Sequence, residues 1–350
     1  MADSKSSLSC TSKLALLGAA AGVTIYAMRQ RRRMDFEGKV VVITGASRGL
    51  GLELARGFAS ERAHIVLLAR DRQQLAQAAQ ELAATGAQVT LLGCDVSKED
   101  EVKTNVAWIM SELKRIDVLI NNAGVIQVGP LEHMYNDDFA EAMAVHFWGP
   151  LYFMQEVIPH MKRQSHGRIV NIASIGGKVA VPHLLPYTAS KFALAGLSEG
   201  MRTELAKDGI LVTTVCPGLM RTGSHFNAFF KGQQKKEFAL FSTANAFPLL
   251  STSSARAARQ IIEACRYGTS ELVITPQARL LRTINGVFPA FVAEALSFVG
   301  RLLPGPNGVE GNQLKRGWQS QSAIAPSFLT EPADRAACRN NEVLQPPVTS

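Results

Sequence analysis

Short apolar runs alternate along the chain with longer segments whose apolar residues recur every three or four positions. Lys39–Thr44 reads KVVVIT, and similar runs follow at His64–Ala69, Val89–Gly93, Asp117–Ile120, Arg168–Ala173, Leu211–Cys216 and Glu271–Ile274. Near-continuous apolarity over so few residues predicts strands buried on both faces. Helical periodicity predicts helices after Gly51, over Asp71–Thr85, from near Lys98, over Asp137–Arg163, over Ser190–Lys207 and over Ser253–Tyr267. Pro150 and Pro159 predict a kink in the long helix from Asp137 and an end to it. Strands alternating with helices are the pattern of an α/β sheet.

Three stretches lie outside that alternation. Leu14–Met28 carries no charge, and extending it back to Leu8 adds only Lys13. A span needs roughly 20 residues, and a lysine near the end can snorkel to the interface. Residues 8–28 are therefore expected to be an uncleaved membrane anchor, with a cleaved signal peptide or a soluble helix as alternatives. Arg29, Arg31, Arg32 and Arg33 would hold the following domain on the cytoplasmic side. Arg279–Leu303 is apolar with sparse arginines, suiting a membrane surface, a helix over the site, or a subunit interface in a homo-oligomer. From Gly305 to Ser350 the composition turns polar and rich in Pro, Gly, Asn and Gln, and mostly disordered chain is expected. The expected organisation is a tail and anchor over 1–33, one domain over 36–275, an apolar helical extension over 276–304 and a tail over 305–350.

Composition narrows the chemistry. The net charge of +8 on 350 residues is modest and spread out, with no basic stripe interleaved with aromatics, so nucleic acid is not an expected partner. The cysteines number five and lack C-x-x-C spacing, which argues against a disulfide framework or a zinc site and for a reducing compartment.

The strand ending at Thr44 runs into TGASRGLG and then a helix, the context of a phosphate-binding loop. Gly45 permits the turn, Gly49 lets the backbone approach a pyrophosphate, and Gly51 allows helix and strand to pack closely. Arg70 ends the second strand, where an acidic residue would bind a ribose 2′-hydroxyl and an arginine suits a 2′-phosphate. Arg48 adds a second cation, and the pair favours NADP over NAD. Asp95 lies past the third strand, placed either to accept from adenine or to cap the next helix. Asn121 opens NNAG, whose amides can tie strand ends together. Ser174 follows the fifth strand, and Tyr187 and Lys191 stand four apart, on one helix face. An ammonium beside a phenol lowers the phenol's pKa, so Tyr187 could exchange a proton with a substrate oxygen that Ser174 also holds.

These motifs resemble the short-chain dehydrogenase/reductase family over about Phe36 to Ile274. The resemblance rests on TGASRGLG, DV at Asp95–Val96, NNAG at Asn121–Gly124, Ser174, YTASK at Tyr187–Lys191 and PGLMRT at Pro217–Thr222. It implies a Rossmann-like, doubly wound, seven-stranded parallel sheet in a single domain. It implies NADP(H) contacts from Gly45, Ser47, Arg48, Gly49, Leu50, Gly51, Arg70, Asp95, Val96, Asn121, Ala123, Gly124, Tyr187, Lys191, Pro217, Gly218 and Thr222. It implies Tyr187 as general acid/base, Ser174 on the substrate oxygen, and Lys191 gripping the nicotinamide ribose. The family's asparagine in the helix after NNAG, which completes a proton relay, is replaced by His146. Imidazole can donate and accept, so His146 is expected either to serve in the relay and titrate in mild acid, or to be a core histidine satisfied by backbone. The expected function is a membrane-anchored NADP(H)-dependent oxidoreductase acting on a lipophilic carbonyl or alcohol. The alternative is a catalytically silent NADP(H)-binding regulator or scaffold.

Overall fold

The computed structural model describes Thr24 and residues 26–322, 325–327 and 330–343. Seven parallel strands form one sheet: β1 (Val40–Thr44), β2 (His64–Ala69), β3 (Val89–Gly93), β4 (Val118–Asn121), β6 (Gly167–Ile172), β7 (Ile210–Pro217) and β11 (Glu271–Ile274). Two-residue β5 (Gln127–Val128) lies outside it. The spatial order is β3-β2-β1-β4-β6-β7-β11, so the crossovers reverse direction between β1 and β4. That reversal opens a crevice at the carboxyl ends of the two strands.

Alternation along each strand feeds two cores. Val41 and Ile43 join Ile65, Leu67 and the helices α1 (Gly49–Ser60) and α2 (Arg72–Ala83) on one face, together with α8 (Ser254–Arg266). Val40 and Val42 join Val66, Leu68, α3 (Glu99–Leu113) and α5 (Gly149–Gln164) on the other. Period-two side chains on a central strand have no solvated face to present, which is why these runs read as continuously apolar.

The two prolines act differently from expectation. Helix α4 (Asn136–Met143) passes through a π-helical turn, Ala144–Trp148, into α5, which runs to Gln164. Pro150 sits in the first turn of α5, where a missing N–H costs little. Pro159 lies inside the helix without ending it. Pro159 and Gln155 are both exposed, so water can meet the carbonyl that Pro159 leaves without a donor. The next helix, α6 (Leu185–Leu205), starts five residues before the expected Ser190.

Beyond the domain, helices α9 (Pro276–Val287) and α10 (Pro289–Gly300) bury little more than Ala278 and Val292. Leu280, Phe288, Phe291 and Phe298 are each more than 60% exposed. The expectation of disorder after Gly305 is corrected over the described residues. There, β12 (Lys315–Arg316) pairs with β9 (Phe229–Phe230), and α11 (Glu331–Arg339) packs on the domain. Ala325 and Ala337 join Phe226, Phe230 and Phe238 in a shared cluster, which α7 (Gln234–Ala246) helps form. Few apolar residues are needed because the Phe-rich stretch supplies the apolar surface and the tail supplies small residues and hydrogen-bonding side chains. Short β8 (Leu219–Arg221) and β10 (Ser251–Ser253) pair beside that cluster. Among the described residues no helix is long and apolar enough to cross a membrane. The expected anchor over 8–28 lies almost wholly outside the described residues.

Candidate active site

The β1–α1 turn is built from glycines because backbone from two strands converges on it. Gly45 has φ +63°, and a Cβ there would sit 2.8 Å from Ala123 Cα. A side chain on Gly51 would strike the Gly45 carbonyl and stand 2.6 Å from Asn122 Nδ2. Gly51 therefore serves close packing, as expected, and lies behind the cavity wall. Thr44 Oγ1 accepts from the Asn122 and Ala123 N–H groups at 2.9 and 3.1 Å. Asn122 Nδ2 donates to the Thr44 and Gly45 carbonyls at 3.0 and 3.1 Å. The strand-tying amide is thus Asn122. Asn121, expected at the cofactor, is instead buried, donating to Asn171 at 2.8 Å. The residues are adjacent, and strand alternation sends their side chains opposite ways.

One cavity of about 590 Å³ lies at the switch point. It is lined by Gly45, Ser47, Arg48, Gly49, Leu50, Arg70, Asp95, Val96, Ala123 and Gly124 from one side, and by Ser174, Tyr187, Lys191, Pro217, Gly218 and Thr222 from the other. Of the expected cofactor residues only Gly51 and Asn121 stand outside the lining. Asp95 does not cap the following helix: its carboxylate accepts from Ser97 N–H and Oγ at 3.1 and 2.7 Å, and its Oδ2 lies 4.0 Å from Arg70 Nη1. The cavity also includes Asn122 of NNAG, and Asn227, Phe229, Arg316 and Glu342, which no motif announced.

Ser174 leaves β6 and caps a 3₁₀ turn, its Oγ accepting from Gly176 N–H at 3.0 Å. Tyr187 and Lys191 project from one face of α6, with Lys191 Nζ 5.6 Å from the Tyr187 ring centre. Lys191 Nζ donates to the Ile172 carbonyl at 2.7 Å. The expectation that Lys191 lowers the phenol's pKa is corrected. Burial pushes Tyr187 up, opposed by its hydrogen bond with Ser174, and burial pushes Lys191 down to about 7. Desolvation outweighs pairing because each charged form loses water without gaining a counter-ion.

His146 lies in the π turn and is fully buried. Its Nε2 accepts from Val125 N–H at 3.1 Å, and its Nδ1 is 2.8 Å from Ser190 Oγ. Because Nε2 is an acceptor, a neutral ring carries its proton on Nδ1 and donates to Ser190. Ser190 Oγ in turn donates to the Tyr187 carbonyl at 2.8 Å. The ring also meets Tyr187 edge to face at 5.4 Å. Burial, then the Lys191 charge, hold its pKa well below 6.5. This direction runs against the mildly acidic titration expected of a relay histidine, and the two hydrogen bonds fit the core reading. His146 bridges Val125 and Ser190 and lines the cavity beside Tyr187, and its lowered pKa favours the neutral ring.

The sign of the pH effect follows. Unfolded chain binds a proton at His146 below about pH 6.5, folded chain does not, so stability falls on acidification by up to about 1.4 kcal/mol per pH unit from this group. Urea denaturation at pH 7.5 and 5.5 should show wild type losing more stability than His146→Asn, while the two kcat profiles show no differing inflection across that range. A profile limb that vanishes in His146→Asn would restore the relay role.

Residues 39–230 match the short chain dehydrogenase family. SadH of Mycobacterium tuberculosis is 31% identical over 270 residues, 75% of this chain and 97% of that protein. Among solved structures, L-sorbose reductase from Gluconobacter frateurii, complexed with NADPH and L-sorbose, superposes with a TM-score of 0.62 at 28% identity, covering 69% of this chain and 97% of that one. Gluconate 5-dehydrogenase from Burkholderia cenocepacia, in complex with NADP and tartrate, gives 0.62 at 28% identity, over 72% and 98%. With the sheet order, the glycine turn and the Ser174–Tyr187–Lys191 set in one crevice, this chain belongs to the short-chain dehydrogenase/reductase family.

Proposed function

We propose that the protein is an NADP(H)-dependent oxidoreductase interconverting a carbonyl and an alcohol on a lipophilic small molecule. The observation that carries this reading is the convergence of Ser174, Tyr187, Lys191 and the glycine turn on one cavity. The turn suits a phosphate: its Gly49 N–H and Arg48 guanidinium already engage oxygen acceptors, the Asn340 carbonyl and the Glu342 carboxylate. Gly45, Ser47, Arg48, Gly49 and Leu50 would hold the phosphates, with Arg48 and Arg70 beside a 2′-phosphate. Two similar structures were solved with NADPH or NADP. When bound, the cofactor supplies or takes up hydride. Ser174 would donate to the substrate oxygen, and Tyr187 would give or accept its proton. Lys191, its pKa pushed down to about 7 by burial, would grip the nicotinamide ribose, and its charged form would partly offset the burial that raises Tyr187.

Val125, Ile126, Val145, Met220, Ala228 and Phe229 add apolar side chains to a lining that is otherwise polar, and they are the surface a lipophilic substrate would meet. Membrane attachment through residues 8–28, with the catalytic domain facing the cytoplasm, is consistent with the exposed apolar side chains of α9 and α10.

Tyr187→Phe should reduce NADPH-dependent reduction across a panel of lipophilic ketones to below a tenth of wild type, with the NADPH Kd within a few-fold. A faster variant would remove Tyr187 from proton transfer. Arg70→Asp should weaken NADPH relative to NADH about tenfold or more in fluorescence titrations, by exchanging an attraction for a repulsion. Equal losses for both cofactors would take the 2′-phosphate away from Arg70. In detergent-free lysates the full chain should pellet with membranes and a chain lacking 1–33 should not. A full chain in the supernatant would end the anchor reading.

A further inference from the structure

The segment after α11 enters the glycine turn. Glu342 Oε2 lies 3.3 Å from Arg48 Nε and accepts from Asn227 Nδ2 at 2.6 Å. A Cβ on Gly49 would stand 2.6 Å from Glu342 Oε1, so the carboxylate rests against the first residue of α1. The Gly49 N–H donates to the Asn340 carbonyl at 2.8 Å. These two donors, a helix N-terminal N–H and an adjacent guanidinium, are what the turn offers an anion.

The placement is anchored. Ala337 packs against Gly223, and His225 Nε2 meets Asp334 Oδ1 at 3.1 Å. Arg56 donates to the Arg339 carbonyl at 2.8 Å and to Asn340 Oδ1 at 3.1 Å. Asn340 Nδ2 donates to the Thr222 carbonyl at 3.2 Å and to Ser254 Oγ at 3.1 Å. Burial raises the pKa of Glu342, and Arg48 and Asn227 only partly oppose this. The carboxylate is held in the turn by the helix behind it.

We infer that residues 340–342 are an internal ligand of the phosphate-binding turn, so that NADP(H) binds only when they leave it and the chain sets its own cofactor affinity. The inference rests on the NADP(H) reading above. A single N–H and a single guanidinium edge cannot serve the segment and a phosphate in the same place, so the two occupants exclude each other. The apparent cofactor affinity is then the intrinsic affinity reduced by the open fraction. By the same linkage, bound cofactor drives the segment out.

The test uses the full chain and Glu342→Ala, titrated with NADPH by fluorescence, with hydrogen exchange of residues 331–343 followed in both. Glu342→Ala should bind NADPH at least threefold more tightly, and NADPH should accelerate exchange of the segment in wild type. Equal or weaker binding by Glu342→Ala, or NADPH slowing that exchange, overturns the inference, the segment then closing over bound cofactor. NADPH bound by neither protein overturns the cofactor reading as well, whereas NADPH bound equally by both overturns the inference alone.

Discussion

Where the crossovers of a parallel sheet reverse direction, two strand ends separate from their helices and expose backbone groups that need partners. Here Thr44 and Asn122 supply them in both directions, each bonding to the backbone of the other's strand. That clasp fixes how far apart β1 and β4 stand, and so the width of the crevice. Gly45 has to be glycine because the clasp brings Ala123 against it. Gly51 has to be glycine because α1 must start immediately above the same carbonyls. Gly49 and Leu50, the first residues of α1, then line the cavity. The phosphate-binding chemistry is a consequence of backbone satisfaction at one point.

Across the cavity, burial is the stronger influence. Tyr187 is pushed up, and Lys191 and His146 are pushed down, so burial works against the charged form of all three. His146 shows why this matters structurally. An imidazolium would place a proton on Nε2, facing the Val125 N–H, and would lose the bond that ties the backbone after NNAG to the π turn. The neutral ring is the form that can bridge Val125 and Ser190, and the Lys191 charge nearby selects against the other. Position and protonation are therefore set by the same packing.

The seven strands were legible because burial on both faces imprints on each strand separately, without reference to its neighbours. The glycine turn was legible because backbone crowding leaves glycine as the residue that fits. What failed depended on partners distant in sequence. Asn121 and Asn122 are one position apart, and which faces the cavity is set by the β4 register. His146 carries the right groups for a relay, but its two partners, Val125 N–H and Ser190, come from other elements. The polar, Pro-, Gly-, Asn- and Gln-rich composition after Gly305 points to disorder. The phenylalanines that cover this segment belong to residues 226–238, so its own composition understates what it buries.

The same distance in sequence explains how a carboxylate can stand where a phosphate is expected. A helix N-terminus and a guanidinium favour negative charge without distinguishing its source. A free carboxylate would compete poorly, since it carries less charge than a phosphate and loses water on burial. Glu342 is not free: α11 is fastened through Asp334, Arg339 and Asn340 to three parts of the domain, so the carboxylate faces the turn at the effective concentration of a tethered group. For short tethers that concentration is in the millimolar range. A weak intrinsic contact is then sufficient to occupy the turn, and a ligand with more phosphate charge and more contacts is sufficient to displace it. The raised pKa of Glu342 and the close anchoring of its helix are two sides of one arrangement, in which the binding free energy resides in the anchors and the charge is left ready to leave.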